Sequence, residues 1–337
     1  MDKIQIENNN LWHYTTLEGL KGIIESNCLW ATDYRHLNDS SELNYARGVL
    51  QEELLQHLVH FVRGLRENND RAKRYIDEEG GSEKVASDES RRIVDILWEA
   101  LLEKTTMVVV PCILSFCVFE RADENLQKNG LLSQWRGYGR DGGYSIVFNY
   151  KNILELFEKE CKNFYYAIAE EGAVCYKSCA LDAGSELYSH LQKITKFAHK
   201  FHNLNFTQSG SVPPDAEILQ SLVHCLARFK HIGFEEEREY RFFVFAHRDE
   251  DVVRSCAEFT DYGKPFKKIH SRDRIGTSVP YVKLFEGEKS LPIEKIVVGP
   301  HRDKNKRVES LKVYLRSKGL NNIEVQASDI PYIGMNN

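Results

Sequence analysis

The chain has 337 residues, 42% of them hydrophobic and 11% aromatic, and a formal net charge of −5. That is enough apolar material for one elaborate domain or two smaller ones, and the charge removes any global attraction to nucleic acid or anionic lipid. No apolar run approaches the roughly 20 residues of a membrane span, and Met1-Asp2-Lys3-Ile4-Gln5 lacks the apolar centre of a signal peptide, so a cytoplasmic protein with no membrane partner is expected.

Residues 11–16 read as a short strand. Leu17, Leu20, Ile23 and Ile24 then recur at helical spacing, and Cys28-Leu29-Trp30-Ala31-Thr32 returns to an extended apolar segment. Asn38-Asp39-Ser40-Ser41-Glu42 carries capping chemistry ahead of a helical pattern from Leu43 to Val62. Between Arg63 and Arg92 charge dominates around Gly80-Gly81, and the segment reads as an exposed, mobile connection. Helical spacing resumes from Ile93 to Leu102, and Met107–Val110 and Ile113–Val118 have the continuous apolar character of buried strands around Pro111.

Leu131–Tyr138 is a short helical element, Gly139–Gly143 a turn, and Tyr144–Phe148 a strand. Residues 151–161 and 185–231 are mainly helical, with a break at Ser211-Val212-Pro213-Pro214. The last third is strand-rich: 237–245, 281–284, Ile293–Val298, then a helix over 306–318 and Ile323–Val325. With no repeat and no sharp linker, the expected architecture is a single α+β domain over 1–337, with helical insertions at about 42–105 and 151–232.

Eight cysteines contain no CxxC pair and twelve histidines form no HExxH or HxxxH pattern, so reduced, buried thiols and no metal are expected. Two basic runs stand out, one from Lys264 to Arg274 and one from His301 to Arg307; either suits a phosphate backbone, although solvated loops are the commoner explanation. Three motifs carry chemistry. His13 lies in Trp12-His13-Tyr14-Thr15 ahead of an amphipathic helix, where a core or edge histidine is the bland alternative. Trp135 and Tyr138, three apart around Arg136, share one side of a helical turn and suit a flat or cationic ligand, or simply cover the sheet edge. Glu237, Glu239 and Arg241 alternate with Arg238, Tyr240 and Phe242, so a strand leading into Phe242–Phe245 projects two carboxylates and a guanidinium from one face. Carboxylates beside a core need a task or a cation.

These segments together resemble a bacterial family of unknown function, DUF2971: His13-Tyr14-Thr15 its opening, Trp135, Tyr138 and Gly143 its centre, Glu237-x-Glu239-Tyr240-Arg241 its acidic strand, and Ile296–Pro300 with Ser328–Tyr332 its close. The opening also resembles ADP-ribosyltransferase-fold toxins, in which an H-x-T strand leads to a helix and a second strand, and a late strand supplies the catalytic glutamate. That resemblance implies a split β-sheet core with large helical insertions and NAD as co-substrate. It implies that His13, with Tyr14 and Thr15, holds NAD, that Trp135 and Tyr138 flank the nicotinamide, and that Arg136 or Arg241 pairs with the diphosphate. Glu239 and Glu237 would then be catalytic, with Glu239 stabilising the oxocarbenium-like ribose and Glu237 serving the acceptor.

The expected function is therefore a metal-independent mono-ADP-ribosyltransferase of a macromolecule. Nucleic acid, RNA or DNA, is slightly favoured over protein as acceptor, and the setting implied is a bacterial toxin of a toxin–antitoxin or phage-defence system with an antitoxin or chaperone partner. The alternative is a catalytically inactive module of the same fold that senses a nucleotide. A metal-dependent nuclease using Asp33, Asp39 and Glu42 ranks last, because those residues read as a helix-start cluster.

Overall fold

Strand β1 (Asn10–Thr15) alternates as expected, and both of its faces are covered. Trp12 and Tyr14 are buried on one face; Leu11 is buried on the other, with His13 and Thr15 half-buried beside it. Thr16 then caps helix α1 (Leu17–Ser26), its Oγ1 accepting the Gly19 amide at 3.2 Å, and Asn27 ends the helix in the left-handed region at φ 51°. Strand β2 (Leu29–Asp33) completes the expected strand, helix, strand opening.

The computed structural model describes residues 9–37, 42–104, 109–139, 142–176, 186–207, 214–254, 263–274 and 276–331. Asp39, Met107, Val108, Arg140, Asp141, the break at 211–213 and Tyr332 lie outside them. The remaining strands are β3 (Val109–Phe119), β4 (Tyr144–Asn149), β5 (Ile168–Ala173), β6 (Glu239–His247), β7 (Ile269–Arg274), β8 (Thr277–Leu284), β9 (Ile293–Val298) and β10 (Glu324–Ala327). The helices continue with α2 (Glu42–Asn68), α3 (Asp70–Glu78), α4 (Ser82–Trp98), α5 (Glu124–Asn129) and α6 (Leu132–Tyr138). After these come α7 (Tyr150–Asn163), α8 (Glu186–Thr207), α9 (Ala216–Arg228), α10 (Glu250–Arg254) and α11 (Lys304–Ser317).

Among the described residues, the ten strands form one mixed sheet in the order β10-β9-β4-β1-β3-β2-β8-β7, with β6 branching from β3 and β5 pairing with β6. The described pairings are antiparallel except β9 with β10, which α11 joins. The mixture of strands and helices is α+β, as expected. β7 was read as a basic run, because charged residues fill the sheet edge it occupies; β5 was missed because Ile168-Ala169-Glu170-Glu171-Gly172-Ala173 has too little apolar alternation to announce a strand.

Where one domain is expected, the chain divides into two compact units. One comprises Met1–Tyr34, Pro111–Ala173 and Glu235–Asn337 and holds nearly all of the sheet; the other comprises Arg35–Val110 and Val174–Phe234 and is helical. The second corresponds broadly to the two expected insertions, save that residues 151–173 belong with the sheet. The segment 63–92 is corrected from a mobile connection to ordered helix: Ala72 and Ile76 of α3 and Val85, Ala86 and Ile93 of α4 are buried. The outer faces carry the pairs Arg63–Glu83 (2.5 Å), Arg66–Asp77 (2.7 Å) and Arg92–Glu89. A narrow apolar stripe, diluted by charge, was enough to build three helices.

Glycines set the closest approach in the sheet unit. A Cβ on Gly299 would lie 1.7 Å from the carbonyl oxygen of Gly142, and the Gly299 amide bonds the Gly143 carbonyl at 3.0 Å. Gly299→Ala is therefore expected to lower stability by about 3 kcal/mol or more, because backbone must move. Gly64→Ala in α2, where a Cβ meets nothing within 4 Å, is expected to raise it by about 0.5–1 kcal/mol. Urea-unfolding midpoints of the two variants test both signs.

Candidate functional site

The signature segments meet at one aromatic contact. The rings of Tyr14 and Trp135 pack edge to face with centroids 4.7 Å apart, inside a cluster with Trp12, Cys117, Phe119, Val147 and Val297. Trp135 is fully buried and its Nε1–H donates to the Asn129 carbonyl at 2.9 Å; the Tyr14 hydroxyl accepts the Leu131 amide at 2.8 Å. Gly130 lies between them at φ +67°, where a Cβ would approach the Tyr14 hydroxyl to 2.7 Å. The same loop receives the closing segment: Ser328 Oγ donates to the Asn129 carbonyl at 2.8 Å and the Asp329 amide to Asn129 Oδ1 at 2.8 Å, while Ile330 packs on the cluster.

This corrects the expected aromatic clamp. Trp135 belongs to the core and cannot flank a ligand, whereas Tyr138 is 41% exposed and Arg136 exposed at the far end of α6. Tyr14 is likewise a core residue, its phenol pushed to a higher pKa by burial.

His13 lies on the opposite face of β1 from Trp12 and Tyr14, and its ring meets the edge of Phe116 at 5.7 Å. β1 and β3 are in register at Trp12↔Cys117, and just beyond that pair the imidazole reaches the β3 backbone, its Nδ1 lying 3.2 Å from the Ser115 carbonyl. A carbonyl only accepts, so Nδ1 carries the proton in the neutral ring. Burial, partly offset by that bond, lowers the His13 pKa. Thr15 shares its face and lies against α1, where a Cβ on Gly19 would be 2.0 Å from Thr15 Oγ1.

The acidic strand is shorter than expected. β6 starts at Glu239, while Glu237 ends a 3-10 helix (Ile232–Glu237) and Arg238 breaks the alternation at φ +44°, so Glu237 does not share a strand face with Glu239. Arg238 contributes its carbonyl to the Val118 amide at 3.0 Å, anchoring the start of β6 to β3. Glu239 and Arg241 are 6% and 2% exposed and form a two-pronged pair: Nε to Oε1 at 2.7 Å and Nη2 to Oε2 at 2.8 Å. That occupies the guanidinium edge the diphosphate was expected to take.

Phe242 stacks edge-on to Phe116 at 5.7 Å, on the His13 face, so alternation sends Glu239 and Arg241 to the other face, the one holding Tyr14 and Trp135. The expected site residues are therefore split, with His13 on one face and Glu239 on the other. Following the register outward through Thr32↔Ile113 and Thr32↔Tyr281, the Glu239 face continues to Trp30, Tyr281 and Arg272. Trp30 and Tyr281 stack at 4.4 Å, and the Arg272 guanidinium lies 5.3 Å over the Trp30 ring. Sequence reasoning passed over Trp30 and Tyr281, whose signal was period-two placement on neighbouring strands. It also passed over Glu186, His190 and His224, whose signal was the one-turn spacing of the first two.

A cavity of about 540 Å³ opens at the C-terminal end of α1, lined by residues including Ile23, Asn27, Leu291, Ile293 and Lys318, and touches none of the expected site residues. Among the described residues no helix is long and apolar enough to cross a membrane.

Residues 134–242 match the model of a family described as a protein of unknown function, DUF2971. The match takes in Trp135, Tyr138, Gly143 and Glu239-Tyr240-Arg241, together with much of the helical unit. No curated protein and no solved structure compared with the chain matches it.

Arg241→Met, which strands the buried Glu239 carboxylate, is expected to cost about 3–5 kcal/mol, while the double change Glu239→Leu, Arg241→Met recovers most of it. Denaturant titration of the three variants is the measurement. For His13 the folded pKa lies below the unfolded value, so the unfolded chain binds more protons as pH falls. The stability this represents is present above about pH 6.5 and is lost on acidification below it. The urea midpoint should fall from pH 7 to pH 5, and fall less in His13→Gln.

Proposed function

We propose, for a chain that belongs to the DUF2971 family, that the sheet unit is an NAD-dependent mono-ADP-ribosyltransferase acting on a macromolecule, with Glu239 as its catalytic carboxylate. The observation that supports this is a buried carboxylate held rigidly by Arg241 in a strand whose other residues as far as Ala246 are Tyr240 and the apolar run from Phe242. Packing alone gives no reason for that pair: burying it costs several kcal/mol that apolar side chains would not.

In this reading the bond between nicotinamide and ribose breaks as positive charge develops on the sugar, and Glu239 stabilises that charge. An acceptor nucleophile takes the place of nicotinamide at the same carbon, and Glu237, half-buried just before the strand, takes its proton. Arg241 positions Glu239 instead of binding diphosphate. Nucleic acid is favoured as acceptor because the half-buried Trp30, backed by the buried Tyr281, continues the Glu239 face towards the cations Arg272, Arg274 and Lys283; an aromatic ring beside cations suits bases and phosphates. The setting as a bacterial toxin in toxin–antitoxin or phage defence, with an antitoxin partner, rests on the resemblance of the opening motif.

A second reading is a nucleotide-sensing module without turnover. It is favoured by one observation: His13 lies on the face opposite Glu239, so the two do not act on one ligand across a shared cleft. Incubation with labelled NAD, followed by separation of RNA, DNA and protein, decides between them. Transfer to nucleic acid that falls at least about 100-fold in Glu239→Gln is expected. Absence of both transferred label and free ADP-ribose in the parent protein, with NAD still bound, selects the sensing module.

A further inference from the structure

Helices α8 and α9 of the helical unit bring together three ligand-type side chains that belong to none of the sheet motifs. Glu186 and His190 are one turn apart on α8, His224 faces them from α9, and one ligand atom of each lies within 4.8 Å of the others. The two imidazoles are parallel, with centroids 3.9 Å apart and planes 11° apart. Stacking alone would make this a packing contact between helices.

The hydrogen bonds around His190 add something packing does not require. Its Nδ1 lies 3.2 Å from Ser221 Oγ, and Ser221 spends its own proton on the Glu217 carbonyl at 2.9 Å. A hydroxyl whose proton is committed can only accept, so His190 carries its proton on Nδ1 and its lone pair on Nε2. Metal-binding histidines are held in this way, one ring nitrogen donating to a fixed acceptor and the other free for the ion. Glu186 is oriented as well: Arg228 Nη1 lies 3.2 Å from its Oε2, leaving the second oxygen of the carboxylate for a cation. His224, 2% exposed, closes the cluster from the interior side.

We propose that Glu186, His190 and His224 form a binding site for a divalent transition ion of the zinc class, clasping α8 to α9. Two imidazoles and a carboxylate are a donor set that zinc accepts, with a fourth position left for water. Binding draws the ligand atoms from within 4.8 Å to the roughly 3.3 Å apart that a tetrahedron with bonds of about 2.0–2.1 Å requires. It turns the imidazoles out of parallel so that their lone pairs converge. Glu217, Lys193 and Arg228 are the other charged groups around the cluster; Lys193 is paired with Glu217 at 2.9 Å, which leaves Glu186 as the cluster's carboxylate.

The test uses the full chain, stripped with chelator and titrated with Co²⁺ and then Zn²⁺. One Co²⁺ per chain with the absorption bands of a four-coordinate ion, displaced by Zn²⁺, is expected. His190→Gln and His224→Gln should each weaken Co²⁺ binding by at least about 100-fold, and Ser221→Ala, which only frees the His190 tautomer, by about tenfold. Glu186→Gln, at an exposed position, gives a variant whose folding is not at risk and should weaken binding by at least about tenfold; circular dichroism checks helix content in all four. No cobalt band in the parent protein, or unchanged affinity in Glu186→Gln and His190→Gln, overturns the site.

Discussion

The contact between Tyr14 and Trp135 is the constraint on which the sheet unit depends. Through it the opening strand, the turn between α5 and α6, and the segment after β10 become one object, because Leu131, Asn129 and Ser328 each bond into the same loop. Each of these aromatics buries about 150–250 Å², worth several kcal/mol at about 25 cal/mol per Å². Gly130 has to be glycine for the two rings to close on the turn. Three stretches more than a hundred residues apart are thereby fixed relative to one another.

The same contact redirects the chemistry. A tryptophan whose ring is fully buried and whose N–H is committed to a carbonyl has nothing left for a ligand, so any flat group bound by this unit must find its stacking surface elsewhere on the sheet. On the same face, on the opposite flank of β3 from Trp135, lies the half-buried Trp30, its ring stacked on the buried Tyr281. There Arg272 already lies over the Trp30 ring, and its Nε is buried with no hydrogen-bond partner among the described residues. Such a cation gains from an incoming phosphate or carboxylate that satisfies it.

Much of this fold was legible in the residues. Period two in Trp12–Thr15 and helical spacing from Leu17 to Ile24 gave the opening, and the continuous apolar run after Pro111 gave β3, because both signals are local. Segment 63–92 misled because its apolar stripe is narrow and its charges pair with one another, as in Arg66 with Asp77. The site was less legible still. Spacing placed Trp135 and Tyr138 on one side of a turn, but whether that side meets solvent or sheet is decided by Tyr14, 121 residues earlier, and a sequence period carries no such information. Glu237 failed for a different reason: one residue in the left-handed region, Arg238, ends the strand's alternation just where it was being counted.

Glu239 and Arg241 are where structure and proposed chemistry press on each other most closely. A carboxylate has about four lone-pair directions, and the two-pronged guanidinium takes two, one on each oxygen. The carboxylate is thereby fixed in orientation, and a positive charge developing beside it would meet a group that needs no rearrangement. The i, i+2 spacing on one strand makes the arrangement rigid, because both side chains hang from the same backbone. Tyr240 and Phe242 on the opposite face leave that backbone no room to slide, since Tyr240 is bonded to Tyr150 at 3.0 Å and Phe242 is held between Phe116 and Phe157. The pair is thus costly to bury and expensive to move, a combination that stability alone does not call for and that a preorganised charge at a reacting sugar does.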